Sequence, residues 1–201
     1  MIKTATIIGN GSSRKTLDLE KSEITTFGCN AIYRDYTPDW LVAIDDKIIQ
    51  EIKNSNYPQS RFIIPPEELC YEPVAMYEKH LPSNKFEDVK HMLPRSNAGM
   101  AAMQVAIDKG FERLYCVGFD FLVFDEDIAV SNLYNGTNGY ELETRANLSD
   151  TRNRMKYLAY MIENNPKINF HFIYPDNLKI YAPIADNVRV GKFSEYKELI
   201  T

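Results

Sequence analysis

The sequence predicts an α/β protein with a Rossmann-like, doubly wound and mostly parallel sheet in three α/β/α layers. Three observations lead to this fold class. Short β-branched and apolar runs recur along the chain, amphipathic helical patterns lie between several of them, and the first run leads directly into a turn at Gly9 and Gly11. Strands that alternate with helices in this way form parallel sheets with right-handed crossovers.

The individual elements follow from hydrophobic patterning and from stop residues. Strands are predicted at Thr4–Ile8, Ile24–Cys29, Trp40–Ile44, Arg61–Ile64, Arg113–Val117 and Ile168–Ile173. Two helices are predicted from apolar residues spaced three and four apart. They are Ala98–Lys109, which stops at Gly110, and Asp150–Asn164, which stops before Pro166.

Composition is that of an ordinary globular protein. The 201 residues are 44% hydrophobic and 25% charged, which predicts one domain over residues 1–201. A net charge of −5 with scattered basic residues argues against nucleic-acid binding, and no apolar run is long enough to span a membrane. The three cysteines lack metal-site spacing and no leader segment is apparent, so a cytoplasmic location is expected. A homo-oligomer is compatible with the sequence.

Two stretches interrupt the alternation of strands and helices. Pro65–Pro94 is rich in proline, tyrosine and charge, which predicts turns and loops outside the sheet. Phe121–Ser149 has weak periodicity and contains two Asn-Gly turns. A long irregular segment after a sheet strand is often functional, so we predict a mobile, lid-like insertion at about residues 121–149.

Polar residues follow the carboxyl ends of several predicted strands, and these ends face one edge of a parallel sheet. This convergence predicts a crevice for a nucleotide-sized ligand. The residues predicted to bind the nucleotide are Gly9, Asn10, Gly11, Ser12, Asn30, Asp45, Ser96, Asn97, Gly99 and Asp120.

Each residue type suits a part of a nucleotide. Asparagine amides fit base or ribose edges, and the backbone at Gly9–Ser12 and Ser96–Gly99 can accept anionic oxygens. Arg95 could grip a phosphate. Asp45 and Asp46 could bind ribose hydroxyls, hold Mg²⁺ or act as a base, or could simply cap a helix. Asp120 has an equally simple alternative, a structural bond that closes the following loop.

These motifs together resemble the bacterial sialyltransferases of Campylobacter type, glycosyltransferase family 42. The resemblance covers residue 4 to about residue 175 and rests on Gly9-Asn10-Gly11-Ser12, Cys29-Asn30, Arg95-x-x-x-Gly99, Gly118-Phe119-Asp120-Phe121 and the Tyr134–Tyr140 loop. It implies a CMP-activated sugar donor, a saccharide acceptor, no metal and no further cofactor. It also implies that Tyr134 and Tyr140 hydrogen-bond the departing phosphate.

The chain departs from that family in one catalytic position. The family's histidine precedes its last long helix, whereas residues 147–150 here are Asn-Leu-Ser-Asp, and the three histidines are His80, His91 and His171. We therefore predict an enzyme without the expected histidine. The predicted catalytic residues are Tyr134, Tyr140, Arg95 and Asp46, with Asp46, Asp120 and Asp150 left open as the general base.

A second resemblance gives an alternative function. Thr37–Asp45, a strand that ends in a carboxylate, is similar to the corresponding strand of the archaeal 6-hydroxymethylpterin diphosphokinase-like proteins. Such an enzyme would use ATP with Mg²⁺ near Asp45 and Asp46. A third possibility is a nucleotide-binding module without catalysis, since the fold alone does not decide among these functions.

Overall fold

The computed structural model describes residues 2–19, 23–65, 96–142 and 148–200. Within these residues the chain forms one sheet of seven strands, and neighbouring strands pair in parallel throughout. The strands are β1 (Thr4–Ile8), β2 (Thr25–Cys29), β3 (Trp40–Val42), β4 (Phe62–Ile63), β5 (Arg113–Val117), β6 (Asn169–Tyr174) and β7 (Val188–Lys192).

The order of the strands places a ligand crevice near the middle of the sheet. The order is β4-β3-β2-β1-β5-β6-β7, so the chain adds strands outward from β1 on one side and from β5 on the other. β1 and β5 are neighbours over their whole length, from Thr4 beside Arg113 to Ile8 beside Val117. Ligands of open α/β sheets bind where the strand order reverses, at the carboxyl ends of the strands.

Five helices accompany the sheet in the described part of the chain. They are α1 (Asp46–Lys53), α2 (Ala98–Asp108), α3 (Glu126–Ala129), α4 (Leu148–Asn164) and α5 (Phe193–Ile200). Short 3-10 turns, at Ser12–Thr16 and Asn30–Arg34, replace full helices directly after β1 and β2. No helix in the described ranges combines the length and the apolarity that crossing a bilayer requires.

Both faces of the sheet carry a buried apolar layer. Successive residues of one strand point to opposite faces, so Ile7 and Ile8 belong to different clusters. One cluster joins the sheet to α2 and α4, with Phe27, Met103, Leu158 and Phe172 among its members. The other joins the sheet to α1 and α5, with Leu41, Ile48, Ile52 and Tyr196 among its members. This arrangement confirms the doubly wound, three-layer α/β fold.

The predicted bounds need correction at several strands. β1 and β5 have the predicted limits, but β2 begins at Thr25, β3 ends at Val42, β4 is only Phe62–Ile63 and β6 is Asn169–Tyr174. β3 ends early because the Ile44 N–H turns to the Asn30 side chain, 3.4 Å away. The edge strand β7 and helix α5 were not predicted. Residues 66–95 lie outside the described residues, and most of the predicted irregular stretch Pro65–Pro94 falls there.

Candidate functional site

A cleft of about 890 Å³ opens at the carboxyl ends of β1, β2, β3 and β5. Its boundary combines the residues after these strands with the beginning of α2 and with a segment that follows α3. The predicted site residues that line it are Gly9, Asn10, Gly11, Asn30, Asp45, Asp46, Ser96, Asn97, Gly99, Asp120 and Tyr140. Cys29 and Phe119, which belong to the motifs at the predicted strand ends, also line it, as do Ser131, Glu141 and Arg154, which were not predicted.

The turn after β1 is shaped by close backbone contact with the end of β5. The Gly9 N–H donates to the Val117 carbonyl at 2.8 Å, and the Gly11 N–H donates to the Gly118 carbonyl at 3.0 Å. A Cβ atom on Gly9 would lie 2.5 Å from the Gly118 carbonyl oxygen. Glycine is required at residue 9 because two backbones meet there.

The carboxylate of Asp120 fills the space beside the glycine turn (Gly9–Ser12). It accepts a hydrogen bond from the Ser13 N–H at 2.8 Å, a second from the Ser13 hydroxyl, and a longer one of 3.4 Å from the Ser12 hydroxyl. A Cβ atom on Gly11 would lie 2.3 Å from the Asp120 Cγ. The predicted contact between this turn and a ligand anion stays a prediction, and the structure adds that the carboxyl group of Asp120 lies beside the turn.

Asp120 is almost completely buried, with 2% of its surface exposed. Burial raises the pKa of its carboxyl above the ordinary value, while the hydrogen bonds from Ser13 and Ser12 oppose that increase. The turn is closed further by a hydrogen bond between the hydroxyls of Ser12 and Ser131. Ser12 itself does not line the cleft, because its side chain is used in these contacts.

Arg14 is a buried cation that the sequence analysis did not single out. Its Nε donates to the Gly9 carbonyl at 2.6 Å, and its Nη2 donates to the Tyr134 hydroxyl at 3.2 Å. The Tyr134 hydroxyl in turn donates to the Asp35 carboxylate at 2.9 Å. The sequence offers one indication of this role, because Arg14 stands where the nucleotide-binding pattern G-x-G-x-x-G has its third glycine.

Tyr134 therefore lies behind the cleft rather than in it. Only 5% of its surface is exposed, and its hydroxyl lies between Arg14 and Asp35. Its ring packs against that of Tyr140, with the ring centroids 5.8 Å apart. Of the two predicted tyrosines, Tyr140 alone lines the cleft, and Tyr134 supports it from behind.

Asn10 and Asn30 fix the ends of β1 and β2. The Asn10 amide donates to the Cys29 carbonyl at 3.0 Å. Asn30 has a positive φ of 48°, a conformation that asparagine tolerates better than most residues. Its amide donates to the Asp45 carboxylate, so the ends of β2 and β3 are joined by side chains. Asp45 and Asp46 are both exposed at the rim of the cleft.

The amino end of α2 also lines the cleft, with Gly99 close to the ring of Phe119. Asn97 caps the helix, since its side-chain oxygen accepts the Met100 N–H at 2.9 Å. An α-helix leaves its first N–H groups without acceptors inside the helix, so those of Ala98 and Gly99 remain available after Asn97 has capped Met100. Helix α2 has 11 residues, which is long enough for its dipole to favour an anion at this end.

Residues 131–141 form one side of the cleft and are docked onto the domain. The Leu133 N–H donates to the Asn10 carbonyl at 2.9 Å. Further along this segment, Thr137 is held by a clamp formed by Arg34 and Glu51. Arg34 pairs with Glu51 through two 2.7 Å contacts, and it also donates to the Thr137 hydroxyl at 2.6 Å. The mobility predicted for residues 121–149 stays a prediction, but this part of the segment has specific anchors.

Tyr140 follows the clamped turn and enters the cleft. Burial raises the pKa of its hydroxyl above the ordinary value, and burial likewise raises the pKa of the neighbouring Cys29 thiol to about 12. Both groups therefore hold their protons at neutral pH. A protonated tyrosine hydroxyl is a hydrogen-bond donor, whereas its ionised form would only accept.

Some predicted residues cannot be placed. Arg95 lies outside the described residues, as do Cys70, His80 and His91, and the side chain of Asp150 is not described. His171 lies half-buried in β6, with its ring 5.1 Å from that of Tyr115. Across the described ranges, no group of three or more histidine, cysteine or acidic side chains is arranged to hold a metal ion.

Comparisons with known proteins give matches among solved structures only. No protein-family model matches the chain, and a search of curated proteins finds no match. A structure of the sialyltransferase CST-II with CMP is 17% identical, covers 94% of this chain and 93% of its own, and has a TM-score of 0.45. A second, with a trisaccharide acceptor and CMP, is 19% identical over 87% of this chain and 82% of its own, with a TM-score of 0.49. A third, CstII from Campylobacter jejuni with CMP, is 18% identical over 94% and 84%, with a TM-score of 0.47.

Proposed function

We propose that this chain is a glycosyltransferase that binds a nucleotide sugar, with a CMP-activated sugar as donor and a saccharide hydroxyl as acceptor. One observation carries the proposal. The residues predicted to bind a nucleotide come from five separate segments of the sequence. Most of them line a single cleft, which lies where the order of the strands reverses at β1 and β5. Its volume of about 890 Å³ is within the usual range for small-molecule sites.

The nucleotide phosphate binds at the amino end of α2 in this proposal. The N–H groups of Ala98 and Gly99 provide donors and the helix dipole favours negative charge, so the protein can bind an anion despite its net charge of −5. In the same cleft, Asn30, Asp45 and Asp46 supply donors and acceptors for the hydroxyl and amide groups of the sugar and base. The acceptor hydroxyl approaches from the rim.

Transfer requires a donor for the leaving phosphate and a base for the acceptor proton. Tyr140 is the proposed donor, because the residue lines the cleft and its buried hydroxyl remains protonated. Arg95 keeps its predicted role beside the phosphate. Asp46 is the proposed base, because it is exposed at the rim, whereas Asp120 is held by Ser12 and Ser13. Tyr134 positions Tyr140 by ring packing instead of contacting the phosphate.

The proposal is tested by following CMP release from CMP-sialic acid, a reaction that needs only water if no acceptor is present. Tyr140→Phe removes one hydrogen-bond donor to the leaving group and should lower kcat by about 100-fold, the usual loss for such a donor. Tyr134→Phe is the matched control. It should reduce the free energy of unfolding by about 1 kcal/mol, through loss of the Asp35 and Arg14 contacts, with a much smaller effect on kcat.

The alternatives predict different results in the same assay. A diphosphokinase-like enzyme would release AMP from ATP with Mg²⁺ and a pterin, and would leave CMP-sialic acid intact. A binding module would bind CMP without releasing it from any donor. If neither CMP binding nor CMP release is detected, the glycosyltransferase proposal is wrong.

A further inference from the structure

One face of the sheet carries two arginines and a histidine side by side. His171 on β6 is the register neighbour of Tyr115 on β5 and of Arg189 on β7. Neighbouring strands lie about 4.8 Å apart and every second residue of a strand shares a face, so Arg113, two residues before Tyr115, lies on this face as well. Of the described residues that line the cleft, none belongs to this group.

The positive charge on this face is not neutralised by the protein. Burial and, after it, the charges of Arg113 and Arg189 lower the pKa of the His171 imidazole, so both guanidinium groups act on the histidine. The Arg189 Nη1 donates to backbone carbonyls, those of Asp186 and Val188. Among the described residues, no carboxylate forms an ion pair with Arg113 or Arg189. A local excess of positive charge therefore remains in a chain whose net charge is −5.

Arg113 also has an unsatisfied hydrogen-bond donor. Its Nε is buried and has no hydrogen-bond partner. A buried donor without an acceptor is unfavourable, and in native structures such a group generally has a water, an ion or a ligand as its partner. Arg113 and His171 are half-buried and Arg189 is exposed, so the group can be reached from solvent. An anion placed here would meet donors and positive charge together.

We propose that Arg113, His171 and Arg189 bind a tetrahedral oxyanion of the phosphate type, either free in solution or as the phosphate of a lipid headgroup. A guanidinium presents a planar fork of donors that matches two oxygens of such an anion, and the imidazole N–H supplies a further donor. Helix α5 lies beside the site, since its Tyr196 packs on Tyr115 with the ring centroids 5.5 Å apart. The proposal does not depend on the function of the cleft.

The test is an NMR titration of the whole chain with inorganic phosphate at constant pH, with chloride of equal ionic strength as the reference. The ring signals of His171 should shift and saturate at millimolar phosphate, and chloride should not reproduce the change. Arg113→Gln removes the guanidinium and should weaken phosphate binding by about 10-fold or more. Arg61→Gln is the control, because Arg61 is an exposed arginine directly before β4, at the other edge of the sheet, and its variant should keep the wild-type affinity.

Co-sedimentation with vesicles separates the two sources of the anion. Saturable binding of inorganic phosphate identifies a free anion, whereas binding only to phosphatidylcholine vesicles that contain phosphatidic acid identifies a headgroup, and both support the site if Arg113→Gln loses the binding. No response to either probe, an equal response to chloride, or an unchanged response in folded Arg113→Gln would overturn the proposal. If Arg113→Gln does not fold, Arg189→Gln at the exposed position replaces it, with the same loss of binding expected.

Discussion

At the scale of single residues, the shape of the glycine turn depends on close contacts among a few residues. Gly9 permits the contact with Gly118, Gly11 leaves room for Asp120, and Arg14 braces the turn through the Gly9 carbonyl. These dependencies explain how the glycine turn keeps its shape, and its predicted contact with a ligand stays a prediction. The sequence shows the glycines and serines, but it does not show which anion meets them.

Gly9→Ala should be strongly destabilising. The new Cβ would lie 2.5 Å from the Gly118 carbonyl oxygen, and a backbone atom cannot move aside as a side chain can. We expect a loss of about 2–3 kcal/mol in the free energy of unfolding, measured by urea denaturation. Gly110→Ala is the control. Gly110 has a φ of 80° and nothing within 4 Å of a new Cβ, so only backbone strain of about 1 kcal/mol is expected. Equal losses would contradict the close-contact explanation.

Arg14→Met tests the buried cation. The variant keeps the aliphatic packing but removes the donors to the Gly9 carbonyl and the Tyr134 hydroxyl. Leaving the Gly9 carbonyl without this donor, and the buried Tyr134 hydroxyl with Asp35 as its remaining partner, should reduce the free energy of unfolding by about 2–3 kcal/mol. Lys15→Met changes the neighbouring, exposed cation and should stay within about 0.5 kcal/mol of wild type. A neutral result for Arg14→Met would show that the guanidinium does not support the turn.

At the scale of elements, the clamp formed by Arg34 and Glu51 positions the 131–141 segment against α1. Glu51 also accepts from Tyr33 and Asn138, so one carboxylate joins three parts of the chain. Gly139 packs so closely on α1 that a Cβ there would lie 2.5 Å from the Ile48 Cδ1. Tyr140 comes next, and its place in the cleft therefore depends on this clamp.

The clamp predicts a specific pH dependence. The hydrogen bonds from Arg34 lower the pKa of the Glu51 carboxyl from 4.5 to about 2 in the folded protein. Its stabilising effect is therefore complete above about pH 4.5 and is lost as the pH falls through 2. Glu51→Gln should be less stable than wild type by about 0.5–1 kcal/mol at pH 7, and urea denaturation should show that difference shrinking below pH 4.5.

The control for this experiment is Glu112→Gln, an exposed carboxylate just before β5. Its stability should follow that of wild type across the same pH range. Hydrogen exchange adds a local measurement, because the N–H groups of Thr137 and Tyr140 should exchange faster in Glu51→Gln at pH 7. A stability difference that is constant from pH 7 to pH 2 would contradict the proposed role of the Glu51 carboxylate.

The elements also show what the sequence could predict. β1 and β5 have strong β-branched and apolar runs, and both have the predicted limits. β7 was missed because it is an edge strand in which Val188 alone is buried, so its pattern is weak.

Asp120 was recognised as a strand-end residue, with a structural bond as one alternative. The structural bond is not to the following loop, as that alternative had it, but to Ser12 and Ser13, which are 108 and 107 positions away along the chain.

At the scale of the whole molecule, the fold brings two kinds of polar group to one cleft. The amino end of α2 favours anions, and Asp45, Asp46 and Glu141 supply carboxyl groups to the same cleft. A nucleotide has both a phosphate for the first kind of group and hydroxyl groups for the second. This combination, at the carboxyl ends of strands beside the reversal of strand order at β1 and β5, is the basis on which we propose a nucleotide as the ligand.

The central claim is that this cleft is the nucleotide site, and an NMR titration of the ¹⁵N-labelled protein with CMP in metal-free buffer tests it most directly. The largest shift changes should occur at the backbone N–H groups of Ala98 and Gly99, with further changes near Asn30 and Tyr140. The N–H signals of Thr26 and Gly110, which lie near the amino ends of the strands, should not shift. Changes centred on that opposite edge, or no changes at millimolar CMP, would contradict the account.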